Sequence, residues 1–301
     1  MAAKPTSPRT AKRRQKRARC DTDLSISIPK LKRPTLTTTA RRREILFYGD
    51  SLTWGMSHSQ ATRYPLSFPQ LLEERIHKLG YRMVESALCS RTTAHNDPES
   101  QTEWMPGSTS SDFNGLTHFS PLFSSHTPVI LVVALGTNDL KTRIRRQSKT
   151  TAQRLVPWLV GNKTPLEEAQ AIAESCAKIG EKAKELYSGF CHDDHTSLKV
   201  MVITPPCLML NEKSEAMGYD EQSELISQHF PQAFHEMCAT HGFINIGKTP
   251  PNMDESMDGV HFTRAAQSEL AESVWKDIER EIEESRPATR ARLLFAAQGK
   301  N

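Results

Sequence analysis

Continuous apolar runs of strand length alternate along this chain with stretches in which apolar side chains recur every three or four residues. Ile45 to Tyr48 and Val129 to Leu135 are uninterrupted runs, as expected of strands buried on both faces. Tyr81 to Glu85, Lys199 to Thr204 and Phe243 to Ile246 are read as three further strands. Between them, Phe68, Leu71, Leu72, Ile76 and Leu79 form one helical stripe, over about 67–79, that stops at Gly80. Thr164-Pro165-Leu166-Glu167 combines a capping box with proline at the first helical position. It opens a helix to about Tyr187, striped by Leu166, Ala169, Ile172, Cys176, Ile179, Ala183 and Leu186. One helix is expected around 220–240. Another, capped by Thr263, carries Ala266, Leu270, Val274, Ile278 and Ile282 at four-residue intervals up to Pro287.

Strands alternating with helices predict a parallel sheet covered on both faces, in one domain of about residues 44–284. Residues 94–127, rich in Ser, Thr, Asn, Asp, Pro and Gly, form a long connection with a short helix near Phe113 to Phe123. Connections of that length commonly shape a binding cleft. There is no internal repeat.

Charge changes the picture at the two ends. Residues 1–43 carry 14 Lys or Arg against 2 Asp or Glu, and residues 286–301 carry 4 basic and no acidic side chains. The remaining 21 basic and 33 acidic residues give the middle a charge of −12, so the net +4 of the whole chain reports its tails. The folded part is therefore expected to be indifferent to nucleic acid. Residues 1–43 and 285–301 are expected to be unordered basic tails, because they have too little apolar content to offset the entropy of ordering. Lys12-Arg13-Arg14-Gln15-Lys16-Arg17-Ala18-Arg19 reads either as a nuclear-import signal or nucleic-acid-binding arm, or as a tail that only solvates. No run is long enough to span a bilayer, and no secretory or transit segment can be built before Leu24. The six cysteines include no CxxC pair, which argues against zinc and against a disulfide framework. Free thiols without an export signal fit a reducing compartment, cytoplasmic or nuclear.

The candidate chemistry sits at strand ends. Gly49-Asp50-Ser51-Leu52-Thr53 follows the first strand, Gly136-Thr137-Asn138-Asp139 follows the third, and Asp258-Gly259-Val260-His261 precedes the last helix. Serine needs a base within hydrogen-bond reach and donors for the oxyanion formed on attack. His261 can take the Ser51 proton, and Asp258 can fix the imidazole tautomer. The order Ser, Asp, His is that of α/β-hydrolases, but Thr53 stands where their nucleophile elbow has its last glycine, and the Asp-to-His gap is unusually short for them.

With those blocks in that order, the chain resembles an SGNH (GDSL-type) hydrolase. Ile45 to Gly55, Ser90-Arg91-Thr92-Thr93 and Asp258 to Thr263 are similar to the bacterial aryl esterase/acyltransferase branch. The resemblance implies a flavodoxin-like three-layer α/β/α sandwich with a central parallel sheet. It implies a triad of Ser51, Asp258 and His261, and an oxyanion hole formed by the Ser51 and Ser90 backbone N–H groups and the Asn138 amide. Ser90 departs from the family's usual glycine. Because the position contributes its N–H, a small side chain can substitute where the backbone torsion allows.

Several other residues have plainer readings. Asp50 is read as structural, bonding backbone donors to fix the turn that bears Ser51. Trp54 is either a wall of the acyl pocket or ordinary core, and Cys89 is read as packed rather than reactive. Cys191-His192-Asp193-Asp194-His195 has metal-ligand residue types in a polar stretch, and reads as a solvated loop. The basic run Lys141 to Lys149 is expected on an exposed face. No cofactor is implied.

The function expected is that of a serine esterase. It hydrolyses, and can transfer, short acyl groups of a small-molecule ester through an acyl-enzyme on Ser51. Carbohydrate deacetylase, thioesterase and lysophospholipase activities remain open, as does a catalytically silent domain whose basic arm binds nucleic acid or an import receptor. Related acyltransferases assemble into homo-oligomers, which leaves oligomeric state open as well.

Overall fold

The computed structural model describes residues 43–59, 62–97, 110–148, 163–190, 197–247 and 253–285. Outside the described residues lie Lys12 to Arg19, Cys191 to His195 and nearly all of the two basic tails. Arg43, assigned to the first tail, instead begins a strand, and Ser285 caps the last helix.

In chain order the elements begin with strand β1 (Arg43–Gly49), the single turn α1 (Ser51–Trp54), helix α2 (Phe68–Lys78) and strand β2 (Tyr81–Ala87). Helix α3 (Gly115–His126), strand β3 (Ile130–Ala134) and helices α4 (Thr142–Ser148) and α5 (Pro165–Phe190) follow. The chain continues through β4 (Lys199–Ile203), α6 (Glu212–Ala216), α7 (Glu221–Ser227), α8 (Phe230–His241), β5 (Ile244–Ile246) and α9 (Arg264–Glu284). The five strands form one all-parallel sheet in the order β2-β1-β3-β4-β5.

Alternation along each strand divides the core in two. Leu46, Tyr48, Leu131, Val133, Val200 and Val202 face the layer containing α3, α5 and α8. Ile45, Phe47, Ile130, Val132, Met201 and Ile203 face α2 and α9. The result is a three-layer α/β/α sandwich. After β2 the chain crosses to the other side of β1, so the strand order reverses between β1 and β3. In an open parallel sheet that switch point leaves a crevice at the carboxyl ends of the strands, where ligands bind.

The stretch around 220–240 is two helices, not one. Asp220 caps α7 by accepting from the Ser223 N–H at 2.8 Å, and α8 restarts with Pro231 in its first turn. A proline there cannot continue the preceding helix, because it lacks the N–H that the turn before requires. The basic run also differs from expectation. Lys141 and Arg145 are buried. Arg143 makes two bonds to Asp97, at 2.7 and 2.8 Å, and Arg145 engages Asp220, Glu168 and the Leu140 carbonyl. Its anionic partners lie some 20 to 80 residues away in sequence, so local patterning does not reveal them.

Among the described residues, no helix is long and apolar enough to cross a membrane.

Candidate active site

Ser51 begins α1 directly after β1, so its position follows from how tightly the chain turns there. Gly49 permits the turn: a Cβ on it would meet the Thr53 hydroxyl at 1.9 Å. Asp50 caps α1 by accepting from the Leu52 N–H at 2.9 Å. Burial pushes the Asp50 carboxyl up to about 6, against the lowering effects of the Leu52 N–H, His261 and Arg91.

Asp258 and His261 come from the loop between β5 and α9. Gly259 has φ +67°, and a Cβ there would meet the Met209 carbonyl oxygen at 1.8 Å, so only glycine fits. Asp258 Oδ1 accepts from the backbone N–H groups of Val260 (2.9 Å) and His261 (2.8 Å). Its Oδ2 lies 2.8 Å from His261 Nδ1. Burial acts to raise the Asp258 carboxyl, but the His261 side chain and these backbone donors together hold it below its ordinary value. An ionised carboxylate only accepts, so Nδ1 carries a proton, and in the neutral tautomer this leaves Nε2 as the acceptor. Ser51 Oγ sits 2.9 Å from Nε2, where its hydroxyl can donate. All three side chains are buried, across a sequence separation of about 210 residues between Ser51 and His261.

This chain of bonds has the parts needed for nucleophilic attack: a hydroxyl on a neutral imidazole, with a carboxylate to compensate the imidazolium that attack creates.

The other two sequence candidates flank Ser51. Ser90 has φ +65°, in the left-handed region, which for a non-glycine residue costs of order 1 kcal/mol. That torsion is the one a glycine would adopt freely, and serine tolerates it here. The Ser90 hydroxyl receives a long contact of 3.4 Å from Lys141 Nζ. Neither the Ser51 nor the Ser90 backbone N–H bonds to an acceptor among the described residues. Asn138 stands on a 3₁₀ turn (Asn138–Leu140) after β3. Its Nδ2 donates to the Arg91 carbonyl at 3.1 Å and to Asp50 Oδ2 at 3.3 Å. Both amide protons are therefore held, the contact with Asp50 being the longer.

Two residues not singled out for chemistry also shape the site. Arg91 supports the turn beneath Ser51, and Asp139 accepts from the Thr93 N–H and hydroxyl and pairs with His95 at 3.0 Å, fixing the segment after Ser90. The sequence signal for both was their place inside the quoted motifs. Trp54 is half-buried under the Arg63 guanidinium, 5.6 Å from the ring centre. It does not line the apolar cavity beside the site, whose walls include Leu52, Phe68, Ala134, Thr137, Ile203 and Phe262. Cys89 is partly buried, and burial pushes its thiol up to about 11, which leaves little thiolate at neutral pH.

Removing the Asn138 amide in Asn138→Ala is expected to lower kcat by about 100-fold, the usual effect of losing one preorganised oxyanion donor. Steady-state hydrolysis of a p-nitrophenyl ester checks this, and an unchanged kcat would remove Asn138 from the chemistry.

Asp50 carries a second expectation, in stability. Its folded value near 6 lies above its ordinary 3.8, so between those values the folded chain binds a proton that the unfolded chain has released. Stability from this group therefore falls as pH rises from about 4 to about 6. Asp50→Asn removes that dependence. Its stability relative to the parent should grow by on the order of 2–3 kcal/mol between pH 4 and pH 7 in denaturant titrations. A difference that stays flat with pH would mean that Asp50 ionises as it does in the unfolded chain.

The model of the GDSL-like lipase/acylhydrolase family matches residues 45–274. Among solved structures, the chain is similar to Est24, a carbohydrate acetylesterase from Sinorhizobium meliloti, with TM-score 0.61 and 21% identity, covering 79% of this chain and 99% of that one. It is similar to the native aryl esterase of M. smegmatis, with TM-score 0.60, 21% identity and coverage of 79% and 99%. A putative arylesterase from Agrobacterium tumefaciens str. C58 gives TM-score 0.57, 20% identity and coverage of 80% and 99%. At these identities the likeness is one of fold. A comparison with curated proteins finds no match.

Proposed function

The chain belongs to the GDSL-like lipase/acylhydrolase family, and from that premise we propose that it is a serine esterase in which Ser51 is acylated by a short-chain ester and then hydrolysed. The observation that carries this reading is the continuous bond path from Asp258 through His261 to Ser51 Oγ, at 2.8 and 2.9 Å.

In the first half-reaction Ser51 Oγ attacks the ester carbonyl carbon while its proton passes to His261 Nε2. The carbonyl oxygen becomes an oxyanion, received by the Ser51 and Ser90 backbone N–H groups and by the Asn138 amide. The C–O bond to the alcohol then breaks, and His261 returns the proton to the leaving oxygen. In the second half-reaction His261 takes a proton from water, the resulting hydroxide adds to the acyl-enzyme, and collapse frees the carboxylic acid as His261 returns its proton to Ser51 Oγ. An alcohol in place of water gives a new ester instead, so transfer and hydrolysis share one intermediate.

The acyl group is assigned to the apolar cavity walled by Leu52, Ala134, Thr137 and Phe262, immediate chain neighbours of the reacting residues or of their strand ends. Its cavity volume of about 20 Å³ holds about one water molecule, so only the shortest acyl groups suit it. Carbohydrate acetate is the acetyl donor to compare with simple aryl acetates, since structural relatives bear both descriptions.

The test is hydrolysis of p-nitrophenyl acetate, butyrate and octanoate by the intact protein. Turnover that declines with chain length supports the reading. Preference for octanoate would overturn the assignment of the cavity to short acyl groups. The absence of Ser51-dependent turnover on any ester, acetylated sugars included, would favour a silent binding domain.

A further inference from the structure

Arg91 is a charged residue turned inward, with only 8% of its surface exposed. Its Nη1 donates to two main-chain carbonyls, Gly49 at 2.8 Å and Ser86 at 2.6 Å. Its guanidinium lies 4.2 Å from the ring centre of Tyr48, whose hydroxyl is anchored on the Gly115 carbonyl at 2.6 Å. Its own carbonyl accepts from Asn138 Nδ2 at 3.1 Å.

These contacts converge on the three segments that bear the proposed oxyanion donors. Gly49 ends β1 and leads directly into Asp50 and Ser51. Ser86 lies at the end of β2, whose continuation turns through Leu88, with the Arg91 N–H donating to the Leu88 carbonyl at 3.1 Å, and so carries Ser90. Asn138 follows β3. The Gly49 carbonyl also accepts from the Leu88 N–H at 3.1 Å, so the guanidinium is a second, charged donor to it and ties the ends of β1 and β2 together from a single nitrogen. Its charge lies close enough to the buried Asp50 carboxyl to act against the rise that burial imposes there.

We infer that Arg91 is a positioning residue of the reaction: it binds the Ser51 turn, the Ser90 turn and the Asn138 amide into one rigid body before the oxyanion forms. The inference rests on the reading of Ser51 as nucleophile. Preorganised donors work only if their spacing is set in advance, and a shift of about 1 Å at a catalytic site can cost on the order of 100-fold. Arg91 acts through its neighbours and touches no reacting atom. Lysine keeps the charge and a donor but loses the planar group that stacks on Tyr48, so it should substitute only in part.

The experiment uses the full chain with Arg91→Lys and Arg91→Met. Competent sites are counted by fluorophosphonate labelling, and p-nitrophenyl acetate hydrolysis is followed per labelled site well below the unfolding temperature. Inhibition by phenylboronic acid gives a second readout, because boron adds to Ser51 Oγ and forms a tetrahedral anion in the oxyanion position. Arg91→Met is expected to lower kcat about 10- to 100-fold with KM within about 3-fold, and to weaken boronate binding by a similar factor. Arg91→Lys should recover part of both losses. Unchanged kcat per site and unchanged boronate affinity, whatever happens to the unfolding temperature, would overturn the inference and leave Arg91 a stabilising stitch. If Arg91→Met does not fold, the same two readouts on Arg91→Lys decide the matter. Failure of the parent protein to label at Ser51 would overturn the underlying reading instead, so the two failures are distinguishable.

Discussion

Ser51→Ala is expected to bring ester hydrolysis down by about 10⁵-fold or more, to a residue set by binding and the remaining oxyanion donors. Without Oγ there is no atom 2.9 Å from His261 Nε2 to accept the acyl group, and water in the vacated space is not held in line with the carbonyl. The fold should be indifferent to the change. Ser51 lies at the first position of α1, the capping bond belongs to Asp50, and loss of one hydroxyl there disturbs neither layer of the core. Circular dichroism and the unfolding midpoint should match the parent, so the loss is attributable to chemistry. Residual activity within about 100-fold of the parent would mean that another residue carries the acyl group.

Asp258→Asn is expected to cost about 10⁴ in kcat with little change in KM, by analogy with the same replacement in other serine hydrolases. The carboxylate at 2.8 Å compels His261 Nδ1 to hold the proton. An amide can present its NH₂ there instead, which favours the tautomer protonated at Nε2 and leaves Ser51 without a base. Asparagine also lacks the negative charge that offsets the imidazolium. Its side-chain oxygen can still accept from the Val260 and His261 N–H groups at the site of Oδ1, so the loop should hold. Raising the pH should restore part of the activity as hydroxide takes over the role of base. A loss of less than about 10-fold would indicate that the carboxylate orients His261 without setting its tautomer.

The layers of this fold were legible because their signals are local. Ile45 to Tyr48 and Val129 to Leu135 are long apolar runs, and Thr164 to Glu167 and Thr263 are helix starts whose capping is complete within four residues. The site blocks were legible for a related reason: a glycine that must turn, as at 49 or 259, stands beside the side chain that the turn presents. What escaped notice depends on partners far away. Arg91 sits in a short polar motif, and nothing in that motif says that its guanidinium will be spent on strand-end carbonyls at Gly49 and Ser86. The burial of Lys141 and Arg145 likewise follows from contacts with Ser90, Glu168 and Asp220. The break between α7 and α8 was available in principle, since Pro231 interrupts the run, but the apolar periodicity on either side of it hides the change of axis. The dual hold on the Asn138 amide is of the same kind. It requires Asp50 after β1 and Arg91 after β2 to meet Asn138 after β3, which only the assembled sheet brings about.

The measurement that tests the central claim most directly is covalent capture of the nucleophile. The intact protein is treated with a fluorophosphonate while p-nitrophenyl acetate hydrolysis is followed, and the labelled peptide is located by mass spectrometry. One adduct per chain on Ser51, with activity lost in proportion to labelling and no adduct in the His261→Ala variant, is the predicted result. Hydrolysis that persists after Ser51 is fully labelled, or an adduct that forms elsewhere while Ser51 stays free, would contradict the account.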